Sequence, residues 1–119
     1  MKDFRKLAVW EKSHQLTLEI YQETKKFPGD EKYGLTSQMR RSSASIPTNI
    51  AEGSGRGSDA ELKHFLHIAM GSASELEYQL LLSHELNFIE TADYRRLHNQ
   101  TTEVKRMLAS FIKRLNADR

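Results

Sequence analysis

His64 and His67 stand three residues apart, a spacing that on a helix brings two imidazoles toward one metal ion. No Asp or Glu is read as completing a familiar ligand pattern beside them, and the pair is read as packing or solvent-facing histidine. His14, His84 and His98 are scattered, and spacing alone supports no Ser-His-Asp arrangement, so no catalytic residue is assigned. Cysteine is absent, which excludes disulfides, thiolate nucleophiles and cysteine-based metal or iron–sulfur sites. No cofactor and no metal are expected, and the chain is read as a non-enzyme.

The run Gly53-Ser54-Gly55-Arg56-Gly57 has the composition of a phosphate-binding loop. It follows a helical pattern rather than a strand, and lacks the Gly-Lys-Ser/Thr ending that supplies a lysine and a magnesium ligand. It is read as a helix stop, its glycines available for a left-handed backbone.

Arginine and polar side chains are the more informative set. Arg40 and Arg41 open a stretch, RRSSASIPTNIAEG, that breaks the rules of a simple helix within an otherwise helical sequence. On a helix Arg41 and Ser45 share a face, as do Ser45 and Asn49. Glu75 lies among small residues further on and is placed to reach an arginine of this stretch, so that these groups with Glu52 would form a buried charged network. Such a network confers specificity of packing or assembly more than stability. Ser45, Pro47, Asn49, Glu52 and Glu75 are therefore candidate packing or assembly residues.

Four helical segments must position these groups, and no window alternates as a half-buried strand does. The expected fold is all-α, an antiparallel up-down four-helix bundle with a proline-interrupted second helix, in one domain over residues 1–119. The first helix is expected over about Lys6–Lys26, with Asp3 as an early cap. Its stripe is Leu7, Trp10, His14, Thr17, Tyr21 and Thr24, widened by Val9, Leu16 and Ile20. The second begins near Leu35 or Thr36 and reaches Glu52 or beyond. Pro47 cannot donate its N–H and crowds the Ser43 carbonyl, so the helix should kink there or restart with Ser45 as cap, nearby serine hydroxyls meeting the freed groups. The third runs from Asp59 to about Leu86 behind a Ser58–Glu61 capping box. Tyr78, Leu80, Leu81, Leu82, Leu86, Phe88 and Ile89 point in too many directions for one core, which makes Leu81 and Leu82 candidate assembly residues. The fourth runs from about Ala92, capped by Thr91, to Leu115.

Charge is unevenly spread. Residues 59–90 carry one basic and six acidic side chains, whereas residues 91–119 carry seven basic and three acidic. The basic fourth helix either complements the acidic third or attracts a polyanion. Arg95, Arg96, Lys105, Arg106, Lys113 and Arg114 on its outer face join Arg40, Arg41 and Arg56 as candidate nucleic-acid-binding residues.

At 119 residues, with 29% charged side chains and two prolines, the composition fits one globular domain rather than a disordered or fibrous chain. The opening MKDFRKLAVWEKS lacks the apolar core of a signal peptide, and no run approaches a membrane span, so a cytoplasmic location without membrane contact is expected.

The segments FRKLAVWEKSHQL, FPGDEKYGLTSQMRRSSASIPTNIAEGSGRGS, FLHIAMGSASELEYQL and KRML together resemble the four-helix-bundle family of the 23S rRNA intervening-sequence proteins. That resemblance implies an up-down bundle associating into a homopentameric ring. A relative of the family is the accessory protein of diversity-generating retroelements, which partners a reverse transcriptase and RNA. The function expected is a non-enzymatic homo-oligomeric scaffold binding RNA or a nucleic-acid-processing enzyme; the alternative is a protein-protein adaptor without nucleic-acid binding.

Overall fold

The computed structural model describes residues 3–117. The Asp3 carboxylate accepts the Arg5 amide at 3.1 Å and caps a single 3-10 turn, Phe4–Lys6, after which Leu7 is extended. Four α-helices follow: α1 (Ala8–Thr24), α2 (Leu35–Ser54), α3 (Asp59–Glu85) and α4 (Thr91–Ala117).

Successive helices are neighbours, α4 also packs on α1, and α1 and α3 lie on one diagonal with α2 and α4 on the other. Thr17 meets Ser43 and Thr24 meets Arg40 between α1 and α2. Ser42 meets Gln79 and Ser45 meets Ser72 between α2 and α3. Glu77 meets Lys105 and Lys63 meets Asn116 between α3 and α4. Glu19 meets Gln100 and Lys12 meets Glu103 across the last seam. In each pair the numbering rises on one helix as it falls on the other, so neighbours run in opposite directions.

One apolar core runs through the bundle, with Leu16, Ile20, Met39, Ile46, Ile50, Leu66, Leu76, Leu80, Leu97 and Leu108 almost fully withdrawn from water. On α1 the buried face is Val9, Ser13, Leu16, Ile20, Glu23 and Thr24. That is rotated from the expected stripe: Trp10 and His14 stack at the margin, their rings 4.9 Å apart, and Tyr21 is exposed. The shift is possible because small hydroxyl residues serve as core when their own helix satisfies them. Ser13 donates to the Trp10 carbonyl at 2.9 Å and Thr24 to the Ile20 carbonyl at 2.7 Å.

The proline expectation is corrected in a specific way. α2 is unbroken from Leu35 to Ser54 with Pro47 buried inside it, so no restart capped by Ser45 occurs. Nor does a neighbouring serine meet the freed Ser43 carbonyl. Thr17 Oγ1 of α1 lies 2.9 Å from it, and 2.9 Å from the Ser13 carbonyl, so one hydroxyl proton is shared between two acceptors. A donor from another helix has replaced the missing i+4 amide.

The glycines also act differently from expectation. No described glycine has a positive φ; Asn87, at φ 65°, takes the left-handed position in the α3–α4 turn. Gly53 is needed for clearance instead, since an added Cβ would lie 2.8 Å from the Phe65 Cβ where α2 crosses α3. At the start of α3 the Ser58 hydroxyl accepts the Glu61 amide at 3.2 Å.

Candidate functional site

Adjacent arginines of the motif have different environments. Arg40 Nε donates to Thr24 Oγ1 at 2.9 Å, its Nη2 reaches the Tyr21 carbonyl at 3.4 Å, and the guanidinium lies 4.9 Å from the Tyr21 ring centroid. The Lys25 amide turns back onto the Gln22 carbonyl, so Arg40 meets an α1 carbonyl at the helix end. One residue on, 100° around the helix, Arg41 is exposed. Arg56 pairs with Glu52 at 2.8 Å and sits over the Phe65 ring.

The fourth helix divides in the same way. Arg96 pairs with Glu19 of α1 and with Asp93, and Lys105 pairs with Glu77 of α3 at 2.8 Å. Arg114 lies over Phe111. Arg95, Arg106 and Lys113 remain on the solvent face, none within ion-pair distance of a carboxylate among the described residues. Arg95 and Lys113 are separated by about 27 Å along the axis at 1.5 Å per residue.

The candidate packing residues form no buried charged network. Glu75 is exposed and accepts a hydrogen bond from Gln79 of its own helix at 3.4 Å; Glu52 is exposed and holds Arg56. The groups joining α2 to α3 are neutral. Ser45 Oγ accepts from Ser72 and from Asn49, both at 2.9 Å, and the Ser42 hydroxyl donates to Gln79 Oε1 at 2.6 Å. Charge moves outward because neutral hydroxyl and amide pairs satisfy one another without the desolvation cost of buried ions. Gln79 was not singled out from sequence, although its type at helix-face spacing carried the signal.

The apolar end of α3 is also sorted. Leu80 and Ile89 are core, Leu82 and Phe88 pack on it, and Tyr78, Leu81 and Leu86 stay exposed. Leu82 is thus a packing residue of the bundle, whereas Leu81 faces water.

His64 and His67 are both exposed. The expectation that no carboxylate completes a ligand pattern needs correction, since Glu61 and Glu11 precede His64 and His14 by three residues, a pairing used in carboxylate–histidine metal sites. Among the described residues, however, no three His, Asp or Glu side chains gather to hold an ion. An open cleft of about 580 Å³, lined by Glu23, Lys26, His84, Asn87, Glu90 and Asp93 among others, is bridged by Lys26 to both Glu23 and Asp93. No described helix is long and apolar enough to cross a membrane.

Residues 5–110 match the family described as 23S rRNA-intervening sequence protein. The chain belongs to that family. Within the 23S rRNA-intervening sequence family match lie the whole α2 motif and α4 as far as Ser110, so Lys113 and Arg114 fall beyond it. A solved relative is a protein with unknown function from the S23 ribosomal protein family of Bacteroides thetaiotaomicron VPI-5482. It is 32% identical, superposes with a TM-score of 0.83, and the similarity covers 89% of this chain and 99% of that one. No curated protein matches the sequence.

Proposed function

We propose that this member of the family is a non-enzymatic, cytoplasmic, homo-oligomeric scaffold, a pentameric ring by the family resemblance, that binds RNA or an enzyme acting on nucleic acid. The observation that carries the nucleic-acid part is the α4 solvent face, where Arg95, Arg106 and Lys113 lie within ion-pair distance of no carboxylate among the described residues. Cations without internal partners are free to replace the counterions of a phosphate backbone, and an oligomer repeats the stripe on every copy. Arg41 extends the set on α2. Arg40, Arg56, Arg96, Lys105 and Arg114 are engaged within the chain and contribute less.

RNA binding measured across a salt series tests this reading. The apparent affinity should fall steeply with salt, and replacing Arg95, Arg106 and Lys113 by Gln should flatten that dependence. Affinity that is indifferent to salt or to these replacements would favour the protein-protein adaptor. That second reading draws on Leu18, Tyr21, Tyr78 and Leu81, large apolar side chains between 40% and 61% exposed.

A further inference from the structure

Four of the seven large apolar side chains exposed among the described residues form two short ridges with opposite electrostatic borders. On α1, Leu18 and Tyr21 are 47% and 40% exposed, Lys25 stands one turn beyond, and Arg40 lies over the Tyr21 ring. On α3, Tyr78 and Leu81 are 61% and 41% exposed, with exposed Glu75 and Glu85 on either side. Residues 3, 4 and 7 apart share a helix face, so each set is one continuous ridge. Glu75 and Glu85 have no basic partner among the described residues, because the bundle's ion pairs lie mainly across the α1–α4 seam and only Lys105–Glu77 joins α4 to α3.

Placement decides what covers them. α1 and α3 are diagonal helices, so one chain cannot bring its own two ridges together. Both ridges lie at the same height: Arg40 of α2 touches Tyr21, and Ser42, two residues on, bonds Gln79 beside Tyr78. We infer that a second copy of this chain covers each ridge, the acid-bordered α3 ridge of one copy seating on the base-bordered α1 ridge of the next. Unlike faces make the contact head-to-tail rather than two-fold, and their common height sets the copies side by side; a contact of this kind gives a ring when its rotation closes. The inference rests on the homo-oligomeric part of the proposed function and names the faces that would build it.

The test is the solution mass, by size exclusion with light scattering, of the wild type and two double variants, Leu18→Glu with Tyr21→Glu and Tyr78→Glu with Leu81→Glu. A multimeric wild type, two monomeric variants and a two-chain complex when the variants are mixed is the expected result, since each variant keeps one intact face. A multimeric wild type whose mass neither variant changes leaves the oligomer standing and overturns the face assignment; a monomeric wild type overturns both. If a variant loses its helical circular dichroism, the absence of cysteine in the sequence allows a milder test with Leu18→Cys and Leu81→Cys on separate chains. A short bis-maleimide should link the mixture into dimers and neither variant alone; no cross-link in the mixture overturns the proposal.

Discussion

The Thr17 hydroxyl of α1 lies 2.9 Å from the Ser43 carbonyl of α2, the acceptor four residues before Pro47. A proline inside a helix ordinarily removes a bond that nothing replaces, yet here a side chain 26 residues earlier supplies the donor. The buried α2 motif therefore depends on α1 for its continuity. Thr17→Val keeps the shape and deletes the donor, and should destabilise the bundle by about 1–3 kcal/mol, the cost of a buried unsatisfied carbonyl. In a Pro47→Ala background, where the backbone amide restored by the substitution reclaims the Ser43 carbonyl, the same change should cost clearly less. Urea denaturation of the four proteins gives the coupling directly, and an uncoupled cycle would refute the replacement.

Two helical glycines should respond oppositely to alanine. At Gly53 a Cβ would meet the Phe65 Cβ at 2.8 Å, Leu62 Cδ1 at 3.1 Å and the Leu62 carbonyl at 3.3 Å. Overpacking should cost about 1–3 kcal/mol against a helix-propensity gain of about 1 kcal/mol. At Gly71 nothing lies within 4 Å, so Gly71→Ala should stabilise by up to about 1 kcal/mol. Thermal melts of the pair that move in the same direction would contradict the close α2–α3 crossing.

Gln79 and Ser42 form a buried pair at 2.6 Å between α2 and α3. Removing only the serine hydroxyl strands the glutamine oxygen, and Ser42→Ala should cost about 1–3 kcal/mol. Replacing both, Ser42→Ala with Gln79→Met, should recover much of that loss, since no buried acceptor remains. Denaturation midpoints at constant m-value report the comparison.

Leu81 and Leu82 are adjacent in sequence and separate in role. Leu82 packs on the core, so Leu82→Ala should lower stability by about 2 kcal/mol or more. Leu81 is 41% exposed, and Leu81→Ala should cost well under that in dilute monomer. Equal losses would mean that both side chains belong to the core.

Paired and unpaired cations on α4 should separate in RNA binding. Lys105 is 2.8 Å from Glu77, and Lys105→Gln should shift the salt dependence little. Arg95→Gln, Arg106→Gln and Lys113→Gln should each reduce the slope of log affinity against log salt by about 0.7–1, the counterions released per phosphate contact. Identical slopes for all four variants would remove the basis for distinguishing paired from unpaired cations.

Helical periodicity alone made four helices legible, together with the Ser58 cap, the cysteine-free chemistry, the basic character of α4 and the family motif. The helices and the cap are properties of residues within a few positions of one another, which is the range over which a repeat or a cap acts. The tertiary structure decided the rest. Arg40 and Arg41, or Leu81 and Leu82, differ by one position, and that 100° rotation separates a contact within the bundle from open solvent. Which way it falls depends on where the neighbouring helix lies. Pro47 announced a missing donor, but only the height and rotation of α1 against α2 place Thr17 at Ser43. The expected charged network failed for the same reason: spacing showed that Glu75 and the motif could share a side of the bundle, while solvation drew the charges outward and left serine, asparagine and glutamine at the α2–α3 seam.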